Sequence, residues 1–547
     1  MLFNGLKSTL SKVLFILSLL IGSLPTIGQS HHKADSIFDK RKIYITNNGS
    51  LPASNSLIGN GSNDIVSIKY YTAHVMVNLL GVTNDMNNWV REMKESGYNL
   101  IWAHLDDYSG YYITTLKSLM DAATRVGGIY VMPGTSSWVE PKKVFQMFVD
   151  TWDHPGLFKI ENKRVYSGWD YQPDNQRLID NLLLTKQISK TQYYLWVHSR
   201  YPYSYNNGKT WVGEYQSNDG LIYWSGSTSA TKPEEIEHLY QTRPWLDGLI
   251  NFAVDQGGKD KTIRTNKVII ETSLKNGKFS MAGISSVYAS VSFTDFGFKG
   301  SANIWDSILA LPIDKRPTAV SDITANDYAE LSYISPIVNP PVNGLSYVPS
   351  LNSGYTLGNN IRYPLTDHSG IQKFLRPWVD AFKNNQNKPI FSEDRIFVSY
   401  YLHPPNQKPS RTLPSVFKGY SNLDQKWWNT TVFATGFIKV GNTNQVEGIK
   451  KYFEDGLNKI RMAAHLVAPA QLKINNSLSE LKPAGTAYYE IEVGTFRGTP
   501  SFSIIRNGVE IKKGNGLQPI TNNVFPGGWN FLATEILPVS NPAVTKK

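Results

Sequence analysis

Residues 70–105 read YYTAHVMVNLLGVTNDMNNWVREMKESGYNLIWAHL, and one repeating unit of the fold is legible in them. Tyr70 to Asn78 is an apolar run of strand length. Met86, Trp89, Val90 and Met93 then recur at i, i+3, i+4 and i+7, the spacing of one buried helix face, and Gly97 stops the helix. Tyr98 to Leu105 is a second strand-like run. Strand, helix, strand in that order is the unit from which parallel sheets are built.

The rhythm continues downstream. Ile113, Leu116, Leu119, Met120 and Ala123 form a second helix face, closed by Gly127-Gly128, and Ile129 to Met132 is a third strand. Pro141 to Trp152 reads as a helix, Arg164 to Trp169 as a strand and Leu178 to Leu184 as a helix. Tyr193–Val197, Gly248–Val254 and Thr318–Ile323 are further strands, and Ile371 to Phe382 is a late helix. The expectation is an α/β fold: a (β/α)8 TIM-type barrel over residues 67–405, longer than the ~250 residues of a plain barrel because its loops carry insertions. An open doubly wound sheet is the alternative. No Gly-x-Gly-x-x-Gly follows the first strand, which counts against dinucleotide binding.

The flanks differ in character. Lys7 and Lys12 precede an apolar run from Val13 to Ile21, and Thr26 and Gly28 are small residues at −3 and −1. That layout is a secretory signal peptide over 1–28, too short to span a bilayer. Residues 29–66 are a polar linker rich in Asn, Gly and Ser. Pro404, Pro405 and Pro409 mark a second linker over 406–430. Beyond it come alternating runs such as Tyr488 to Val493 and Phe502 to Ile505, and Asn507-Gly508 before Val509 is a hairpin signal. A small C-terminal β-sandwich over 431–542 is expected, bracing the barrel or binding sugar.

Composition bounds the function. The 547 residues include no Cys, so neither disulfides nor thiolate metal sites arise. The net charge of +11 is spread out, with no basic run longer than Lys40-Arg41-Lys42, so no nucleic-acid partner is expected. With 14 Trp and 30 Tyr, the chain has material for a large core or for stacking on sugar rings. The expected destination is secreted or periplasmic, as a monomer with no membrane contact after signal removal.

In a barrel, chemistry sits at the C-terminal ends of the strands. The polar residues there are His74 and Asn78; His104, Asp106 and Asp107; Ser136, Ser137 and Trp138; Trp169 and Asp170; Asp255; and Asn326, Asp327, Tyr328 and Glu330. Carboxylates and aromatics dominate. No His-x-x-x-His or Gly-x-Ser-x-Gly motif appears, so neither a metal nor another cofactor is expected. Paired carboxylates suit glycoside hydrolysis, where one protonates the leaving oxygen and the other acts as base or nucleophile. Asp327 and Glu330 are the candidate pair. The competing reading is a helix start, with Asp327 as cap and Glu330 as its box partner. Asp106, Asp107, Asp170 and Asp255 either bind sugar hydroxyls or cap strand ends. Trp138, Trp169 and Trp305 are stacking platforms or core.

The segment Thr324-Ala325-Asn326-Asp327-Tyr328-Ala329-Glu330-Leu331-Ser332-Tyr333-Ile334-Ser335-Pro336 resembles the Trp-Asn-Asp-Tyr-Gly-Glu-Ser-His-Tyr-Ile-Gly-Pro signature of glycoside hydrolase family 71, the α-1,3-glucanases or mutanases. Thr72 to Val77 is similar to the family's Phe-Ala-His-Phe-Met-Val opening. Gly97 to Asp107, Trp245 to Leu249, Asp367-His368-Ser369-Gly370, Arg506-Asn507-Gly508 and Trp529-Asn530-Phe531 resemble further blocks in the same order. The resemblance implies inverting endo-hydrolysis of α-1,3-glucan, with Asp327 and Glu330 catalytic. It also draws His74, Asn326, Tyr328, Tyr333, Asp367 and His368 into the substrate-binding set. Ala325 stands where the family has Trp, Ala329 where it has Gly, and Leu331-Ser332 where it has Ser-His. These changes keep open another α-glycan, such as an α-mannoside, and a non-catalytic glycan-binding protein on the same scaffold.

Overall fold

The structure is a computed structural model. It describes residues 69–136 (apart from 78–79 and 81–85), 139–169, 247–252, 258–285, 297–326, 367–402, 459–522 and 531–537. It also describes Ile334 and the isolated elements at 193–198, 215–216, 222–223, 233–242, 287–289, 293–295, 346–348 and 363–365. The expected signal peptide, both linkers and the helix at 178–184 lie outside these residues. Residues 65–547 form one compact unit.

Eight strands of the central sheet form a ring: β1 Tyr70–Met76, β2 Leu100–Leu105, β3 Tyr130–Ser136, β4 Lys163–Trp169, β5 Tyr193–His198, β6 Gly248–Ile250, β7 Phe279–Ile284 and β8 Ala319–Asp322, with a ninth two-residue strand, Lys159–Ile160, paired to β4. Every neighbouring pair among the eight is parallel, only the Lys159–Ile160 strand running antiparallel to β4; β1 pairs with β8, and β3 pairs directly with β4. The ring therefore closes, which an open doubly wound sheet cannot do. The architecture is an eight-stranded parallel barrel.

Alternation along the strands builds two layers of packing. Leu100 and Trp102 of β2, Met132 of β3, Val165 of β4, Ile250 of β6 and Met281 of β7 point into the barrel and fill it. Ile101, Ala103 and Leu105 of β2, and Tyr71, Ala73 and Val75 of β1, point outward against the helices. The described helices are α1 Met86–Glu95, α2 Gly110–Val126, α3 Pro141–Thr151, α4 Pro233–Thr242, α5 Gly258–Lys275, α6 Gly297–Leu309 and α7 Ser369–Lys383. Helix α1 buries Trp89, Val90 and Met93, the face its spacing implies. Trp305 of α6 is wholly buried and is core, not a platform.

A second module is all antiparallel. One sheet runs, in chain order, through β9 Arg395–Tyr401, β10 Lys459–Leu466, β13 Gly485–Glu492 and β16 Phe531–Ile536. The other holds β11 Ala470–Ile474, β12 Ser477–Lys482, β14 Ser501–Arg506 and β15 Val509–Asn515. Ile396, Val398, Met462, Leu472, Ile504 and Leu532 share one core between the two sheets. The turn joining β14 to β15 has positive φ at both Asn507 (51°) and Gly508 (77°), as the Asn-Gly pair requires. The module's first strand, β9, lies upstream of the linker expected at 406.

The other face of the first sheet packs on α7. Phe397, Tyr401, Ala463, Phe531 and Ala533 join Phe374 and Trp378 in the barrel's outer core. His465 of β10 is buried in this seam, its ring among Phe374, Phe391 and Phe397. Burial and the nearby Arg395 charge push its pKa down to about 3, so it is neutral.

Candidate active site

The C-terminal ends of β1, β2, β3 and β8 lie side by side, because β8 pairs with β1, β1 with β2 and β2 with β3. His74 of β1 and Trp102 and His104 of β2 meet there. The His74 ring stands edge-on to Trp102 (4.5 Å between centroids) and to Phe252 (4.9 Å), and 5.0 Å from the His104 ring. All four rings are buried. His74 is thus part of the floor of the mouth, held by aromatic packing.

Above this floor stands a trio. Ser136, at the end of β3, donates its hydroxyl to Asp106 Oδ1 at 2.9 Å. His104 Nε2 lies 3.1 Å from the same carboxylate oxygen and 3.0 Å from Ser136 Oγ. His104 is 3% exposed and Asp106 29%, and Ser136 is wholly buried. Burial works to raise the Asp106 pKa, but the hydrogen bond and charge of His104 and the hydrogen bond from Ser136 outweigh it. The net effect holds the carboxyl below the usual aspartate range. A nucleophilic serine needs its base on one ring nitrogen and the orienting carboxylate on the other. Here both groups meet Nε2, and the trio holds the Asp106 carboxylate in place.

Asp107 does something else. Its Oδ1 accepts from the Tyr108 backbone amide (2.8 Å) and pairs with Lys143 (2.6 Å), while Oδ2 accepts from Ser109 (2.5 Å). It ties the start of α2 to α3. Of the two readings open for it, sugar binding or a cap, these contacts describe a cap.

Asn326 begins the loop that carries the candidate catalytic pair. Its side-chain amide pairs with the Met76 backbone in both directions, accepting from the amide (2.8 Å) and donating to the carbonyl (2.9 Å). One rung earlier, the Ala325 amide donates to the His74 carbonyl at 2.7 Å. The chain after β8 is thereby stitched to the end of β1. With 1% exposure and its amide given to backbone, Asn326 is a positioning residue, not the sugar contact expected. Asp327, Tyr328, Glu330 and Tyr333 lie outside the described residues, as do Trp138, Asp170 and Asp255. Trp169 ends β4, and its side chain is likewise not described.

Asp367 and His368 are not at the mouth trio. Asp367 accepts from the Ser369 amide (2.8 Å) and from the Thr534 hydroxyl (2.7 Å), and its carbonyl accepts from the Ala533 amide. His368 is wholly buried, with Nε2 3.0 Å from the Phe531 carbonyl. A Cβ on Gly370 would sit 2.5–2.7 Å from the Thr534 backbone. The Asp-His-Ser-Gly segment is therefore a clasp between α7 and β16, where contact is so close that only glycine fits. The contacts described for Asp367 and His368, expected at the substrate, are those of this clasp.

Two features escaped the sequence reading. His104 and Ser136 stood out only as polar residues at strand ends, and nothing in their spacing (32 positions apart) signals that they share Asp106. Asp322 gave no signal at all. It is buried at the end of β8, and its Oδ2 accepts from the hydroxyls of Tyr71 and Tyr98, the latter at 2.5 Å. Gln372 of α7 donates to Tyr98 in turn (3.3 Å). Burial pushes the Asp322 pKa up to about 7 against the two tyrosine hydrogen bonds.

Among the described residues no group of three or more His, Cys, Asp or Glu is arranged to hold a metal ion. No described helix is long and apolar enough to cross a membrane.

Comparison with curated protein sequences finds no match. Among solved structures, the GH99 endo-α-mannosidase of Bacteroides thetaiotaomicron is similar at 13% identity and a TM-score of 0.38, covering 58% of this chain and 98% of its own. The endo-β-1,4-mannanase of Thermotoga petrophila is similar at 9% identity and a TM-score of 0.36, covering 86% and 97%. Likeness at this level is too slight to argue from. The family model of glycosyl hydrolase family 71 matches residues 199–538, from the end of β5 through the second module. The resembling blocks at 72–77 and 97–107 lie upstream of that match. It spans more than half of the chain and takes in the loop after β8, so the chain belongs to glycosyl hydrolase family 71 and is a glycoside hydrolase.

Proposed function

We propose that the chain hydrolyses the α-1,3-glucosidic bonds of a mutan-like α-glucan, internally and with inversion, using Asp327 and Glu330. The observation that carries this reading is the stitching of Asn326 to Met76. It fixes the residue immediately before Asp327 at the C-terminal rim of the barrel, where catalytic groups of such barrels stand. The family membership supplies the reaction class, and the Asp-Tyr-Ala-Glu segment supplies the two carboxyls.

In this reading Glu330 protonates the bridging oxygen as the C1–oxygen bond breaks. Asp327 takes a proton from the water whose oxygen bonds to C1 from the opposite face. Inversion by this route wants carboxyls ~6.5–9.5 Å apart. Trp138 and Trp169 serve as platforms, with Tyr328, Tyr333, Asp170 and Asp255 contacting hydroxyls. The second module, read as a β-sandwich, braces the barrel through the α7 clasp. The N-terminal 28 residues act as an export signal, giving a secreted or periplasmic enzyme.

Asp327→Asn and Glu330→Gln are each expected to lower reducing-sugar release from insoluble α-1,3-glucan by ~10²–10⁴-fold without loss of folding. The first-formed anomer, followed by NMR, is expected to be β. Full activity in both variants defeats the assignment. Binding without release by the unmodified protein defeats hydrolysis and favours a glycan-binding role. Release from an α-mannan in place of the glucan defeats the linkage.

A further inference from the structure

We propose that Asp322 is a positioning residue: tied to two tyrosine hydroxyls, and through one of them to α7, it holds the base of the segment that carries Asp327 and Glu330. The role of that pair rests on the hydrolase reading; the tie does not depend on it.

Asp322 is the last residue of β8, level with Ala73 of β1 and Ile284 of β7. Ala319 belongs to the inner core and Val320 to the outer one, so by alternation Asp322 faces outward, into the layer between sheet and helices. There its Oδ2 accepts from the Tyr71 and Tyr98 hydroxyls, and Gln372 of α7 donates to Tyr98. The two tyrosine rings stack 4.3 Å apart, and all four side chains are buried. Burial and the Asp322 charge raise both tyrosine pKa values well above the usual one, so both hydroxyls keep their protons. A buried carboxylate is costly, and an apolar side chain often packs such a layer as well or better. What the carboxylate adds is direction: its hydrogen bonds fix where the end of β8 stands against β1 and α7. The turn of α7 that meets β16 at Gly370 thus also reaches Asp322.

Three residues on, Ala325 closes the segment at both ends. Its amide donates to the His74 carbonyl at 2.7 Å, and its carbonyl accepts from the Ile334 amide at 3.1 Å. Asp327 and Glu330 lie in the chain between these two points. A shift at the end of β8 therefore moves the neck of the segment with it. Misplacing reacting groups by ~1 Å costs ~10²-fold in rate.

The test compares the unmodified full chain with Asp322→Asn, which keeps the shape and removes the charge. It is run at pH 8, above the value of about 7 to which burial raises the Asp322 pKa. Hydrogen bonds to charged groups are the strong ones, so the Ala325 and Ile334 amides should exchange hydrogen about tenfold faster in the variant, while β14 and β16 exchange as before. On a glucan that the unmodified chain cleaves, kcat should fall about tenfold with KM within about twofold, the pattern of lost transition-state positioning. Should Asp322→Asn not fold, Tyr98→Phe takes its place. It cuts the tie to α7 and leaves Tyr71 on the carboxylate, and about a threefold change in both measurements is expected. Unchanged exchange at Ala325 and Ile334, exchange that rises equally in β14 and β16, or an unchanged kcat overturns the proposal. No sugar release by the unmodified chain defeats the hydrolase reading instead, and exchange alone then decides whether Asp322 holds the segment.

Discussion

At the mouth of the barrel the Asp106 carboxylate meets the His104 ring and the Ser136 hydroxyl and stays partly open to water. At the seam between α7 and β16, Asp367 and His368 meet the backbone of Ser369, Phe531 and Ala533 and the Thr534 hydroxyl. In sequence the two aspartate–histidine pairs look alike. The difference lies in what receives them. A carboxylate braced by side chains at the barrel's rim stays partly open to solvent. One that joins the backbone of two elements is consumed by folding. Both pairs sit in family-like blocks, so only the second kind of evidence tells them apart.

That contrast breaks most sharply at Gly370. An alanine there puts a Cβ within 2.5–2.7 Å of the Thr534 backbone, which cannot swing aside like a side chain. Overpacking costs about 1–3 kcal/mol when neighbours can adjust, and this site is at the upper end of that range or beyond. Gly370→Ala is expected to lower the denaturant midpoint accordingly while leaving glycan affinity of the folded fraction unchanged. An unaltered midpoint would mean the seam is looser than the contact implies.

Acid should separate the two regions next. His465 in the seam has its pKa lowered from 6.5 to about 3, chiefly by burial. Folding therefore binds fewer protons than unfolding below pH 6.5. Stability is fully present above 6.5 and drains away as pH falls toward 3. At pH 5 the cost is about 2 kcal/mol, from 1.36 kcal/mol per pKa unit. Replacing the ring by a non-titrating one, His465→Phe, should remove this slope. The stability difference between the two chains, measured at pH 7.5 and pH 5, isolates it, because Asp322 and every other titrating group are common to both. Asp106, held below the ordinary aspartate range, stays ionised over that span. Ligand affinity should thus hold at pH 5 while the unmodified chain loses about 2 kcal/mol of stability relative to His465→Phe. A parallel fall in both would tie the mouth to the seam.

The barrel was legible because its signal is local. Trp89, Val90 and Met93 repeat at helical spacing, and Tyr98 to Leu105 is apolar throughout, so α1 and β2 follow from adjacent residues. Asn507-Gly508 fixes its own turn in the same way. Closure of the ring was less so, since the β3–β4 pairing is a matter of register between strands about thirty residues apart. Least legible were the partnerships. Asp322 finds Tyr71, Tyr98 and, through Tyr98, Gln372 only because β1, β8 and α7 come together. Ser136 finds Asp106 only because β2 and β3 are neighbours. His368 sits in a motif that reads as functional, and its actual partner, the Phe531 carbonyl, is 163 positions away.

The finest cut through the comparison is a single hydroxyl. Thr534 donates to Asp367 Oδ2 at 2.7 Å, and Val is nearly its shape without the donor. Thr534→Val should cost about 1–2 kcal/mol, since the bond is to a charged group but the Ser369 amide still satisfies the other carboxylate oxygen. Asp367→Asn on the same oxygen should cost a similar amount, and the double variant should cost less than the two added together, as expected for residues sharing one bond. Neither change should move the affinity for an oligosaccharide. If the clasp variants weaken ligand binding as much as they weaken folding, Asp367 belongs to the mouth after all, and the division drawn between the two pairs fails.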